Sequence, residues 1–247
     1  MNSDGNGRGV LNAGGSHTLE ALVNQVARDV EDPETHISVW KRKQAASIVA
    51  GPAAVRTEAR SRQDLRIGAL GSGSDYTPFL QHAGVATLNL GFGGFDSSAG
   101  VYHSVYDDFF HYTKFLDTDF AYGRLLAQVA GTAIVRLADA DLLPFEFGNL
   151  ADTVQTYVRE LQTLLKDRQD EVRERNRQID EGVFAATRDP RRPVAPPKIE
   201  PVPPAINFAP LENAANALTR AADRYRKAAL AAAPALSGNA NVVRAVN

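Results

Sequence analysis

The chain has 247 residues, of which 44% are hydrophobic and 23% are charged, values that are ordinary for a folded protein with a buried core. Its formal net charge of -2 gives no electrostatic reason to expect nucleic acid or an anionic membrane surface as a partner. Because cysteine is absent, any metal site must use His, Asp or Glu, and disulfides and cysteine nucleophiles are excluded.

The first half of the chain predicts an α/β domain. Apolar residues at helical spacing predict a helix over 16–30, capped by Ser16 or Thr18: Leu19, Leu22, Val23, Val26 and Val30. Residues 31–64 have a mixed pattern and are expected to form a partly helical loop. A short strand over 65–70, a turn and a short helix over 71–84, and an apolar strand over 85–92 then predict a parallel βαβ unit.

The second half predicts helices. Asp117 is expected to cap a long helix over 117–140, whose buried face is Phe120, Leu125, Val129, Ile134 and Leu137. The composition changes at Pro144. An amphipathic helix is predicted over 149–180, with one apolar stripe: Leu150, Val154, Tyr157, Val158, Leu161, Leu164 and Leu165. A proline-rich connector over 188–210 separates it from an alanine-rich helix over 211–234, so we expect a helical domain that packs on the first domain or on a partner chain.

No membrane-spanning segment is expected, because polar residues interrupt the longest apolar candidate, 120–137. The first residues lack the basic start and apolar core of a signal peptide. Taken alone, "GSGSD" (71–75) is either an anion-binding turn or a strand-to-helix turn capped by Ser74 and Asp75, and the capped turn is favoured.

The histidines do not show the spacing of a zinc site. His103 lies in a loop between two tyrosines, which without further context favours an ordinary loop residue over a metal ligand. The other four are expected to be surface or helix-end residues: His17, His36, His82 and His111. The acidic pair Asp107 and Asp108 is expected to begin a helix.

Four segments, taken in order, resemble the glutamate carboxypeptidase II and transferrin receptor family of di-zinc exopeptidases: "NSDG", "LGSGSDYTPFLQHAGVATLNLGF", "YHSVYDDF" and "ADADLLPFEFGNLADTVQTYVREL". The resemblance implies that 1–143 form the C-terminal half of an aminopeptidase-type three-layer catalytic domain. It implies that 144–247 form part of a bundle-like helical domain through which such proteins form homodimers. Family members usually act outside the cytoplasm.

The resemblance also implies roles for particular residues. Asp4 and His103 correspond to ligands of two different zinc ions. Tyr102 corresponds to a tyrosine whose hydroxyl contacts the bound peptide substrate near the metal, which suits stabilisation of an oxyanion. Ser72, Gly73 and Ser74 correspond to a turn that lines the substrate cleft.

Two departures from the family pattern limit these implications. The remaining zinc ligands and the glutamate general base of the family have no counterpart in this sequence, so we expect a fragment that binds zinc weakly and is inactive alone. Asn89 and Gly91 stand where the glutamate-specific enzyme has an arginine patch, so a preference for acidic substrates is not expected. The alternatives are a non-catalytic dimerisation module and a truncated reading frame that does not fold by itself.

Overall fold

A computed structural model describes residues 1–95, 100–189, 191–192, 195 and 197–232. The described residues form two compact units: Met1–Leu150 with the described part of Ala222–Asn247, and Ala151–Ala221. More than half of the described residues are helical, and a small sheet lies in the first unit. The predicted mixed α/β content followed by a helical segment is therefore confirmed, whereas the three-layer arrangement and the boundary at 143/144 stay predictions.

The sheet of the first unit pairs a strand that the sequence analysis missed, β1 (Gly9–Gly15), with β2 (Leu88–Gly94). The pairing is antiparallel, with Leu11 opposite Phe92 and Ala13 opposite Leu90. The predicted parallel βαβ unit is not formed, because the segment over 65–70 makes one bridge to β1 and does not pair with β2. β1 was missed because four of its seven residues are glycine or asparagine and it shows no regular apolar alternation.

The segment over 65–70 was predicted to be a strand, but only Gly68 makes a bridge, parallel to Gly14 of β1. Side chains of the neighbouring helix accept hydrogen bonds from the backbone N–H groups that would otherwise donate to an adjacent strand. The Leu65 N–H donates to Asn24 Oδ1 at 2.7 Å, and the Ile67 N–H donates to Glu20 Oε2 at 3.0 Å. These bonds satisfy the two backbone N–H groups without a ladder of hydrogen bonds between strands.

Three helices follow β1. A single turn at His17–Leu19 leads into α1 (Glu20–Asp29), which confirms the first predicted helix, although the Ser16 hydroxyl accepts from the Thr87 N–H instead of capping it. The partly helical loop expected after α1 is mostly helical and contains α2 (Val39–Ala50) and α3 (Ala53–Ser61). Ser38 caps α2 by accepting from the Lys41 N–H at 3.1 Å, a local signal that the mixed apolar pattern obscured.

The predicted short helix before β2 is reduced to one turn, Pro78–His82. After β2, Asp108 caps the single turn α4 (Phe109–His111), as expected for the acidic pair, and a second turn follows at Tyr112–Leu116. α5 (Ala121–Ala138) then begins under Asp117, whose carboxylate accepts from the N–H groups of Tyr122 at 3.1 Å and Gly123 at 2.8 Å. The predicted cap is therefore confirmed.

The buried face of α5 differs from the prediction. It consists of Tyr122, Leu125, Val129 and Ala133, whereas Ile134 is 52% exposed and Phe120 precedes the helix in the left-handed conformation. The row at i, i+3, i+7 and i+11 packs with β2 and α1 in one core, which also contains Leu22, Val26, Leu88, Leu90 and Phe92. Full burial of each such large side chain contributes about 1.5–3 kcal/mol.

The second unit contains most of α6 (Phe147–Asp180), the turn α7 (Val183–Ala186) and the first half of α8 (Ala209–Ala232). Both long predicted helices are confirmed, and residues 233–234 of the second prediction lie outside the described residues. Residues 200–203 of the proline-rich segment contact α6: Asn176 and Glu200 exchange two hydrogen bonds of 2.7 and 3.0 Å, and Gln169 donates to the Pro203 carbonyl at 2.9 Å. In the described ranges, no helix has the length and apolar composition needed to cross a membrane.

Candidate functional site

The carboxylate of Asp4 is held by three neutral donors, two of which come from distant parts of the chain. Asn2 Nδ2 donates to Oδ1 at 3.0 Å, the Ser74 hydroxyl donates to the same oxygen, and Asn89 Nδ2 donates to Oδ2 at 2.8 Å. Asn2 also donates to the Ser74 hydroxyl and to Asn89 Oδ1, each at 3.1 Å. These four residues form one network, which we call the Asp4 cluster.

The fold brings the Asp4 cluster together from three segments. Asn2 bridges to Asn89 of β2, so Asp4 follows directly after a short parallel pairing. Ser74 is presented by the turn over 71–75, in which Gly73 has a φ of +96° that a glycine adopts without a steric penalty. The predicted turn is thus present, and its Ser74 side chain reaches Asp4 instead of capping a helix.

Hydrogen bonding keeps Asp4 ionised. The bond from Ser74, followed by the bond from Asn2, lowers the pKa of the Asp4 carboxyl, since donors stabilise its charged form. Because Asp4 is exposed, these hydrogen bonds favour the ionised form of its carboxyl and do not compensate for a buried charge. A carboxylate has about four lone-pair positions, and three bonds leave Oδ2 with room for one further ligand.

Tyr102 and His103 lie in an exposed loop. Their rings stack with centroids 3.8 Å apart, and His103 has a φ of +59°, which is uncommon for a residue with a side chain. Tyr102 is 72% exposed, so its hydroxyl is accessible to a ligand. Among the described residues, no hydrogen bond joins this pair to the Asp4 cluster.

These residues do not by themselves fit a zinc site. No group of three or more His, Asp or Glu side chains that could hold a metal occurs within the described ranges. A ligating imidazole also normally donates its second N–H to a partner that fixes its orientation, and His103 makes no such bond to a described residue. The assignments of Asp4 and His103 to zinc, and of Tyr102 and Ser72–Ser74 to substrate, stay predictions.

Two of the histidines expected at the surface or at helix ends lie at helix ends and are buried. His17 is 8% exposed, with Nδ1 3.9 Å from Glu20 Oε2, and His111 is 7% exposed and packs against the Phe115 ring at 5.4 Å. Their burial depends on these packing contacts and could not be predicted from the local pattern.

The two asparagine donors of the Asp4 cluster, Asn2 and Asn89, were not expected from the sequence. Asn2 precedes Asp4 in "NSD", and Asn89 was noted only as a residue standing in place of arginine. Their sequence signal is weak, since an isolated asparagine is common in turns.

The matched relatives in the comparisons are named as peptidases. Probable glutamate carboxypeptidase LAMP1 of Arabidopsis thaliana is 31% identical over 145 residues, which are 57% of this chain and 18% of the relative. Mouse aminopeptidase NAALADL1 is 31% identical over 105 residues, 40% of this chain and 14% of that protein. A probable glutamate carboxypeptidase of Arthroderma benhamiae is 36% identical over 94 residues, 37% of this chain and 13% of that protein. The aligned part is thus less than a fifth of each relative. No protein-family model matches the chain.

Proposed function

Since this chain belongs to the peptidase family of the glutamate carboxypeptidases and aminopeptidase NAALADL1, we propose that it forms one wall of the active-site cleft of a zinc-dependent exopeptidase. The observation that carries the proposal is the Asp4 cluster. It fixes an ionised carboxylate beside the turn of Ser72, Gly73 and Ser74, which are the segments that the resemblance assigns to metal and to substrate.

Each of these groups has a distinct role in the proposed cleft. Asp4 offers Oδ2 to one metal ion, while its neutral donors set the direction of that oxygen without competing as cations. The exposed backbone of 72–73 is open to a peptide substrate. The Tyr102 hydroxyl donates a hydrogen bond to the oxygen on which charge develops.

Zinc would supply the activated water in this chemistry, and it requires three or four ligands. Asp4 and His103 supply one ligand to each of two ions, so further ligands and a general base must come from other residues. We therefore propose that the described residues alone neither retain zinc nor hydrolyse peptides, and that they act together with residues that complete both metal positions.

The first experiment measures zinc retention by the purified chain. The chain is equilibrated with zinc, passed over a chelating resin and analysed for metal, alongside Asp4→Asn and the matched control Asp75→Asn. We expect far less than one zinc per chain in all three samples. One zinc per chain that is lost only in Asp4→Asn would contradict the proposed incompleteness while supporting Asp4 as a ligand.

A second experiment tests the cleft itself. Backbone NMR of the ¹⁵N-labelled chain is recorded while a short peptide is added to millimolar concentration. We expect shifts confined to 72–74 and to Tyr102, and reduced shifts in Tyr102→Phe, which lacks the hydroxyl. Shifts that spread evenly over the surface, or that are unchanged in Tyr102→Phe, would refute the assignment of this wall to substrate.

A second candidate function is homodimerisation through the helical unit. The predicted stripe of α6 remains partly uncovered in the described structure: Tyr157, Leu161 and Leu164 are 41%, 47% and 64% exposed. Apolar side chains in a row on one helix favour association with another helix. Sedimentation velocity should show a dimer that Leu164→Glu disrupts and that the control Thr163→Glu, with the same added charge on a neighbouring exposed position, leaves intact. A monomer at all concentrations would exclude this function.

A further inference from the structure

A cavity of about 440 Å³ lies in the first unit, within the size range of small-molecule sites. Its walls come from Asp4 and Gly5, β1, α1, α2, the segment over 65–70 and β2. Most of the lining side chains are apolar: Leu11, Val23, Trp40, Leu65, Ile67 and Leu90. A ligand in this cavity would therefore bury a mainly hydrocarbon body.

One cation in the wall has no partner among the described residues. Lys43 of α2 is half-buried, and no hydrogen bond or ion pair joins its ammonium to any residue that the structure describes. Burial lowers the pKa of Lys43 below its ordinary value, since the charged form loses water without gaining a counter-charge. The Lys43 ammonium keeps contact with water, and an anion placed in the cavity beside it would stabilise its charged form.

The other charged groups of the wall are already satisfied. Arg66 donates to Glu58 Oε1 at 2.9 Å from Nε and 2.6 Å from Nη2, and Asp4 accepts from its three neutral donors. The side chain of Asn24 is also fully hydrogen-bonded. It donates to the Leu65 carbonyl, accepts from the Leu65 N–H, and accepts from Trp40 Nε1 at 2.8 Å. Within the described part of the wall, one positive charge is therefore available for a ligand.

We propose that this cavity binds a small molecule with a single carboxylate on an apolar body, with the carboxylate paired to Lys43. A single unpaired cation matches a monoanion, whereas a phosphate dianion would keep an uncompensated charge beside Asp4. The aromatic wall of Trp40 suits an aromatic or long aliphatic body. The cavity borders the Asp4 cluster, but the proposed contact with Lys43 needs neither zinc nor His103 and Tyr102.

The test uses 3-phenylpropanoate as the probe and its uncharged amide, 3-phenylpropanamide, as the matched ligand. Titration calorimetry on the full chain should show one site for the carboxylate and binding at least about tenfold weaker for the amide, as expected for a hydrogen bond to a charged group. Lys43→Met should lose about tenfold or more in carboxylate affinity. Lys41→Met, on the exposed face of the same helix, should bind like the unchanged protein.

A second readout does not depend on the variants folding. Acetylation of Lys43 by acetic anhydride, mapped by mass spectrometry, should slow several-fold when the probe saturates the cavity, while the rate at Lys41 stays constant. Equal affinity for acid and amide, unchanged binding by Lys43→Met, no binding at millimolar probe, or an unprotected Lys43 at saturation would each overturn the proposal. Zinc is left out of every sample, so these outcomes are independent of the peptidase proposal.

Discussion

Replacing Arg42 by methionine tests the buried charge cluster of the first unit. Arg42 and Asp32 are 9% and 1% exposed, and Nη1 donates to Asp32 Oδ1 and, at 2.6 Å, to the Tyr122 hydroxyl. Nη2 donates to Glu34 Oε2 at 2.8 Å, and the guanidinium lies 4.8 Å from the centre of the Phe95 ring. The side chain thus neutralises one fully buried carboxylate and one that is partly exposed.

The magnitude follows from what Arg42→Met leaves behind. Removing one partner of a buried ion pair costs about 3–5 kcal/mol, because the remaining charge is uncompensated. Asp32 retains bonds from the N–H groups of Glu34 and Thr35 at 3.1 and 3.0 Å and from the Thr35 hydroxyl at 3.0 Å. These donors keep part of the charge stabilised, so we expect a loss of about 3 kcal/mol in the free energy of unfolding at pH 7.

The loss of stability in Arg42→Met should also depend on pH, with a sign that follows from the pKa of Asp32. Burial raises the pKa of Asp32, but the bonds from Arg42, Thr35 and Glu34 outweigh it and hold the pKa below its ordinary value. A carboxyl with a lowered folded-state pKa stabilises the fold above the unfolded pKa, about 3.9, and loses this contribution as the pH falls through the folded value. Without Arg42 the Asp32 pKa rises, so the difference between the two proteins should shrink from pH 7 to pH 3.

The assay is urea unfolding followed by the fluorescence of Trp40, the single tryptophan, whose indole packs beside the core of the same unit. Lys41→Met is the control, because it removes a charge from an exposed position of the same helix. A loss below about 1 kcal/mol at pH 7, or a difference that grows towards pH 3, would show that the buried ion pair does not stabilise the unit as argued.

Three further results are expected. Asp117→Ala should cost about 1–2 kcal/mol in the free energy of unfolding, measured in urea, because α5 loses the acceptor for two N–H groups of its first turn. Gly9→Ala should lower the free energy of unfolding by about 2 kcal/mol or more, because the φ of Gly9 is +150° and a Cβ would lie 2.1 Å from a backbone oxygen of β2. The control Gly5→Ala should leave the free energy of unfolding unchanged, because a Cβ there meets no atom within 4 Å. Ser74→Ala should raise the pKa of Asp4 towards its ordinary value in an NMR titration, and an unchanged pKa would exclude the hydroxyl as its main donor.

The candidate site could be predicted only in part. The "GSGSD" turn was expected because glycine and serine in that order follow an apolar run, and Gly73 does adopt a positive φ. The sequence offered no reason to place the Ser74 hydroxyl on Asp4, since 70 positions separate the two residues. Likewise, nothing local marks Lys43 as unpaired, because pairing depends on which charged side chains the fold brings within reach.

The amino-acid sequence by itself determined that the long helices form. The apolar periodicity of α1 and α6 and the carboxylate of Asp117 are local properties, and 3.6-residue repeats and caps act within one or two turns. Only the tertiary structure decided the sheet. The antiparallel pairing of β1 with β2 depends on partners far apart in the chain. The segment over 65–70 does not form a strand because the side chains of Asn24 and Glu20 in α1 accept the hydrogen bonds of its N–H groups.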